Sequence, residues 1–149
     1  MKRVVTGPHV VRWVEEHSEG RFGDLGVGIG LEENGTLRAG VVFNDYNGAN
    51  MCIHVASDGS RAWMNRELLW FTFHYAFQQV GVKRLTGIVP ESNISARQFD
   101  EHLGFREEGR LKDAHPDGDL ILYRMTKADC RFLNIRRDRG LHGQVAQAA

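Results

Sequence analysis

The chain has little of what would mark a secreted, membrane-spanning or metal-held protein. Its two cysteines, Cys52 and Cys130, stand far apart among 149 residues. They make neither a Cys-x-x-Cys pair nor a disulfide framework, which points to a reducing, cytoplasmic setting. No apolar run approaches the ~20 residues that a bilayer span needs, so no membrane partner is expected. The amino terminus lacks the apolar core and small-residue cleavage site of a secretory signal. Seven histidines are present, without a helical His-x-x-x-His pair or a Cys/His cluster, so no metal site is expected. Neither sign of charge is in excess: 19 basic side chains balance 19 acidic ones. That balance argues against a nucleic-acid coat and leaves only a local basic patch open.

What is present reads as one ordinary globular domain. A hydrophobic content of 42% with 26% charge can bury a core, which excludes disorder of the whole chain. The length suits one core, and neither an internal repeat nor an internal boundary is visible. The domain is expected over 1–132. The stretch 133–149, with Arg136, Arg137 and Arg139, reads as a polar, basic tail that folds weakly or not at all.

Local patterns give the element order. Lys2–Thr6 reads as a strand, and Pro8 suits the first position of a helix that runs to about His17. Leu25, Val27, Ile29 and Leu31 alternate with Gly26, Gly28 and Gly30, the period of a strand with one apolar and one bare face. The glycines do not form the Gly-x-Gly-x-x-Gly turn of a dinucleotide site, because they alternate strictly and lead into a hairpin. The bare face is expected to accept a close neighbour, either the first helix or a substrate. Asn34-Gly35 signals a tight hairpin turn, with Thr36–Asn44 as the return strand. Asn47-Gly48 turns into a strand over Ala49–Ser57, and Asp58-Gly59-Ser60 breaks the chain. A long helix is expected over Arg61–Gln79, ended by Gly81. Then come a strand over Lys83–Val89, a helix capped by Ser92 from about Asn93 to His102, and two strands, Phe105–Lys112 and Asp119–Met125, joined at Pro116-Asp117-Gly118. The long helix is apolar nearly all round. It needs cover from the C-terminal segment or from a second copy in a homodimer.

Two segments carry a resemblance. Asn93 to Phe105, ending Leu103-Gly104-Phe105 and followed by Glu108-Gly109, resembles the asparagine–helix–Leu-Gly-Phe–Glu-Gly pattern of the GNAT (Gcn5-related) N-acetyltransferases. The strand, turn, long helix, glycine and strand of Ala49 to Val89 are similar to that family's acyl-CoA-binding core. The element order matches over about residues 20–126. Gly104 to Gly109 followed by the strand through Tyr123 and Met125 is nearest the ribosomal-protein and phage-encoded branches.

The resemblance implies an α/β (α+β) fold: a mixed, mostly antiparallel sheet flanked by helices, with two central strands splayed apart. It implies acetyl-CoA as acyl donor and a primary amine, on a small molecule or a protein, as acceptor. The amine would attack directly in a ternary complex. A glycine-bearing turn before a helix offers backbone N–H groups to a diphosphate, and the resemblance puts the coenzyme's pyrophosphate at Gly59, Ser60 and Arg61. The family's small residues are replaced there by Met64 and Arg66, so pairing of phosphate by Arg61 or Arg66 is the expected compensation. The pantetheine arm would run along the backbone of Val55, Ala56 and Ser57. Asn93, with Ser95 beside it, would contact the coenzyme by resemblance; a plain helix cap is the alternative.

For the chemistry, His54 has the ordinary pKa of a base at neutral pH, with a hydrogen-bonded sheet histidine as the alternative. Glu91 is a further carboxylate near a strand end. Many family members carry a tyrosine acid at the position held here by Asp100, which leaves Tyr123 or water to supply the proton. Cys52 reads as core. Two other functions compete: a coenzyme-binding module without turnover, and a phage-type, nucleic-acid- or host-factor-associated protein that uses the arginine-rich end.

Overall fold

The computed structural model describes residues 1–60, 65–134 and the backbone of 146–147. The chain runs β1 (Lys2–Thr6), α1 (Pro8–Glu16), β2 (Val27–Glu33), β3 (Thr36–Asn44), β4 (Asn50–Ser57), α2 (Arg66–His74), β5 (Arg84–Pro90), α3 (Ile94–Leu103), β6 (Arg106–His115), β7 (Gly118–Thr126) and β8 (Ala146–Gln147). Among the described residues all eight strands share one sheet, in the order β6-β7-β5-β4-β3-β2-β1-β8. Every pairing is antiparallel except β4 with β5 and the two-residue contact of β8 with β1. This is the mixed, mostly antiparallel α/β architecture expected from the sequence.

The sheet separates two cores. Val4, Ile29, Leu31, Val41, Phe43, Met51, Ile53, Leu85, Ile121 and Tyr123 are buried on the α2 and α3 side with Leu68, Phe73 and Phe77. Period-two alternation sends Val42 and Ala56 to the other face, where they meet Val10, Val11 and Val14 of α1. The bare glycine face belongs to that second side, and the first helix is the neighbour it accepts. A Cβ on Gly28 would lie 2.9 Å from Val10 Cβ and 3.0 Å from the Gly7 carbonyl oxygen; one on Gly40 would lie 2.7 Å from Val14 Cγ2. Only hydrogen at these positions lets α1 lie this close.

Three local expectations are corrected. Leu25 does not join β2; it ends a 3-10 turn over Gly23–Leu25 and is 89% exposed. The expected helix over Arg61–Gln79 begins at Arg66, where extended Asn65 caps it by accepting a hydrogen bond from the Leu68 N–H at 3.0 Å; residues 61–64 lie outside the described residues. Its far end widens to a π-helical turn over Tyr75–Val80, closed by Gly81 at φ +83°. The cap of α3 is Asn93 rather than Ser92. Cover for α2 comes from the C-terminal segment: the Phe132 ring stacks on Phe73 with centroids 4.9 Å apart. The tail arginines 136, 137 and 139 lie outside the described residues.

Candidate active site

β4 and β5 pair only at Asn50↔Arg84, Met51↔Leu85 and Cys52↔Thr86. Beyond that point each strand keeps its outer partner and loses its inner one. β4 stays bonded to β3 as far as Ser57, and β5 stays bonded to β7 as far as Pro90. The result is a wedge through the middle of the sheet, between Ile53–Ser57 on one side and Gly87–Pro90 on the other. A backbone edge without a strand partner inside a sheet is a ready seat for an extended ligand. Val55, Ala56 and Ser57, expected to meet the pantetheine arm, lie on that edge.

Alternation gives the wedge two chemically different faces. On the α2/α3 side an apolar pocket adjoins the β4 arm, lined by Ile53, Val55, Leu68, Phe99 and Leu103 among others. On the α1 side stands His54. Its Nε2 lies 2.9 Å from Asn44 Oδ1, and its ring packs 4.4 Å from that of Phe22. Burial lowers its pKa, and the Asp45 carboxylate opposes that shift. The imidazole is therefore neutral at pH 7. Because Asn44 Oδ1 can only accept, Nε2 carries the hydrogen and Nδ1 holds the lone pair.

The other arm carries Asp100. Gly87 is the first residue of β5 past the last pairing with β4, and it faces α3. A Cβ there would lie 3.3 Å from Asp100 Oδ2. The carboxyl therefore occupies the room left by the missing side chain. Burial, with the neighbouring Glu101 charge as the second cause, pushes its pKa up to about 7. Sequence reasoning read this position only as a missing tyrosine. The available signals were the adjacent acids Asp100-Glu101 and a glycine inside the strand that α3 covers.

Tyr123 stands on β7 opposite Gly87 and is fully buried. Its hydroxyl accepts from Arg97 Nε at 3.2 Å and donates to Glu101 Oε1 at 3.1 Å. Burial raises its pKa. The hydroxyl is thus committed to holding α3 on the sheet. Glu91, just past β5, binds Arg110 Nη1 at 2.7 Å, while its carbonyl oxygen accepts from Arg97 Nη1 at 3.3 Å. It sits at the rim of the wedge in a network with Arg110, Glu107 and Asp119.

The bend after β4 differs from an open anion cradle. The Gly59 N–H donates to Ser57 Oγ at 3.3 Å, and the Ser60 N–H donates to Asp58 Oδ1 at 3.0 Å. Asp58 also pairs with Arg38 at 3.0 Å. The Ser60 hydroxyl and backbone bonds, with Arg38, hold the Asp58 carboxyl at a pKa of about 2. The bend therefore carries a fixed negative charge. Arg61 lies outside the described residues, and Arg66 opens α2. Asn93 Oδ1 accepts from the Ala96 N–H and from the Ser95 hydroxyl, each at 3.2 Å. Its cap role is thus filled by oxygen, and the side-chain NH2 remains a separate donor group.

No family model matches the sequence, and no curated protein matches it. Solved structures do match. A variant of the spermidine N-acetyltransferase SpeG from Vibrio cholerae superimposes with a TM-score of 0.70 at 14% identity, over 89% of this chain and 96% of that one. A second SpeG variant gives 0.71 at 13% identity with the same coverage. A protein described as a probable acetyltransferase gives 0.58 at 20% identity, over 81% of this chain and 69% of that one. With its parted central strands and its helices on both faces of one sheet, the chain has the fold of the GNAT N-acetyltransferases.

Proposed function

We propose that the protein is an N-acyltransferase that moves an acetyl group from coenzyme A to a primary amine. The observation that carries this reading is the wedge. β4 and β5 part after Cys52 and Thr86 while each keeps its outer neighbour, which leaves a strand-long seat for a pantetheine arm along Val55, Ala56 and Ser57. The neighbours in fold include enzymes named for acetyl transfer to spermidine, an amine.

The two faces of the wedge divide the labour. The donor's arm lies on the apolar α2/α3 side, and the thioester sits at the parting of the strands. The amine approaches from the α1 side. An alkylammonium with a pKa near ~10.4 does not attack a carbonyl. His54 Nδ1 accepts the amine proton, directly or through water, and Glu91 at the rim draws the cationic acceptor in. A β4 backbone N–H stabilises the oxyanion. The diphosphate lies near Gly59, Ser60, Arg61 and Arg66, with the Asn93 NH2 and Ser95 contributing at the start of α3. For it to seat there, Ser60 must release Asp58, whose charge opposes the ligand.

Isothermal calorimetry with acetyl-CoA, followed by thiol release across a panel of small-molecule and peptide amines, tests this reading. Micromolar binding and amine-dependent release are expected. Absence of binding at millimolar ligand ends it. Binding without release across the panel would favour a module that kept the coenzyme seat and lost turnover.

A further inference from the structure

On the α1 side, part of the sheet carries no helix among the described residues. The cluster that α1 buries takes its sheet side chains from β1, β3 and β4. Across the wedge, the same face of β5, β7 and β6 leaves Ile88 and Leu111 each 42% exposed. Strand register sorts that face into rows. Leu120 and Leu111 stand opposite each other in the upper row, and Ile88 and Leu122 in the middle one. Arg124 and Arg106 are partners in the lower row, level with Thr86 and Cys52. Two rows are thus apolar and one is cationic, and the middle row looks across the wedge at His54.

The lower row holds more positive charge than its neighbours cancel. Arg84 Nη1 and Arg124 Nε share the Glu108 carboxylate, at 2.8 and 3.2 Å. The carboxylate nearest Arg106 is that of Asp129, at 4.0 Å, and Asp129 is already bound by the Thr126 hydroxyl. Three guanidiniums therefore face two carboxylates, and exposed Lys83 and Lys127 adjoin them. The chain as a whole has no net charge, so the surplus is local. Arg124 and Arg106 are also direct register partners, and like charges opposite each other on a sheet repel. An anion between them removes that repulsion.

We propose that the acceptor is a polypeptide amine with an acidic side chain a few residues away, and that this face recognises it. The inference rests on the acyltransferase reading above and names the acceptor class for that site. The reactive amine sits at His54. The Asp45 carboxylate, near enough to act on both His54 and Cys52, suits its ammonium form. From there the chain crosses Ile88 and Leu122, and its acidic side chain reaches Arg124 and Arg106. Two strand spacings across the sheet and two residues along it separate His54 from Arg124 by roughly 12 Å. An extended peptide covers that span in about four residues, and the reach of the arginine side chain shortens it to about two to four. An acidic polypeptide brings aliphatic groups for the upper rows as well as the anion. A polyphosphate backbone brings the anion alone.

The test uses three C-terminally labelled peptides with a free amino terminus, identical except for Glu, Gln or Arg at positions 3 to 5. Binding to the full chain in the presence of coenzyme A is read by fluorescence anisotropy, and kcat/KM by thiol release with acetyl-CoA. The Glu peptide is expected to bind about tenfold more tightly than the Gln peptide and about 100-fold more tightly than the Arg peptide. Both ratios shrink several-fold as salt is raised to about 0.5 M, and kcat/KM follows the same order through KM. Arg106→Glu, at a side chain 68% exposed, is expected to reverse the order of the Glu and Arg peptides. Should that variant fail to fold, Arg106→Gln carries the comparison and narrows the Glu-to-Gln ratio to about threefold. Equal binding of the three peptides overturns the proposal, as does an order that substitution of Arg106 leaves unchanged. So does tighter binding of a single-stranded oligonucleotide than of the Glu peptide. Calorimetry with acetyl-CoA separates the two readings. A wild type that does not bind it ends the acyltransferase reading and this inference together, whereas one that binds it and ranks the peptides equally ends the inference alone.

Discussion

Two of the bare places in the sheet have opposite meanings. Under α1, Gly28 and Gly40 are covered by valine side chains and by the helix backbone itself. Under α3, Gly87 is covered by a carboxyl oxygen. In the first place, missing side chains let a helix settle close and make a dry contact. In the second, a single missing side chain makes room for an acid where two strands part. A glycine in a strand thus reports close approach, and the approaching group decides whether the consequence is packing or chemistry.

Substitutions separate the two cases. Gly28→Ala places a methyl against Val10 and against backbone atoms of Gly7 and Val11 that cannot move aside. It is expected to cost about 3 kcal/mol of stability, read by urea unfolding. A loss near zero would mean that α1 is not seated on the glycine face.

Asp100→Asn is expected to act in the opposite direction and to depend on pH. The folded-state pKa of Asp100 is raised to about 7. Between its ordinary range near ~4 and about 7, the folded protein therefore binds more protons than the unfolded chain, and stability falls as pH rises through that window. Removing the ionisable group should stabilise the protein by about 2 kcal/mol at pH 8, the cost of burying the amide being already subtracted, with the advantage shrinking as pH falls toward 4. Thermal melts at several pH values read this directly. A pH-independent difference would contradict the environment described for the carboxyl.

The smallest effect belongs to the end of the other arm. Asp58 is ionised at every working pH and stands at the proposed diphosphate seat. Asp58→Asn is expected to tighten acetyl-CoA binding by about threefold, more at low salt than at high salt, because one exposed like charge is removed. Weaker binding would place the diphosphate elsewhere.

Much of the sheet was legible because its signals are steric. Asn34 and Gly35 both have positive φ, at 51° and 86°, and few residue pairs other than Asn-Gly tolerate that. The alternation through Val27–Glu33 fixed which face was bare. The parting of β4 from β5 was not legible from residues alone, because backbone pairing leaves little trace in side-chain identity; it came from the resemblance. The start of α2 was misplaced because Arg61–Met64 are helix-compatible residues and the deciding signal, the Asn65 cap, lies after them. Asp100 was passed over because it was judged by what it replaced. Its chemistry comes from burial and from Gly87, thirteen positions earlier in the chain, and neither shows in the helix's own sequence. His54 and Tyr123 were visible as chemical types, but the bonds to Asn44 and to Arg97 and Glu101 that set their states depend on tertiary contacts.

The wedge itself is tested most directly by amide hydrogen exchange of Ile53 to Ser57 with and without acetyl-CoA. Addition of acetyl-CoA should slow exchange at the amides on the inner edge of β4, while those bonded to β3 change little. If acetyl-CoA leaves Ile53–Ser57 unaltered, or protects a different part of the sheet, the gap between β4 and β5 is not the thioester's seat.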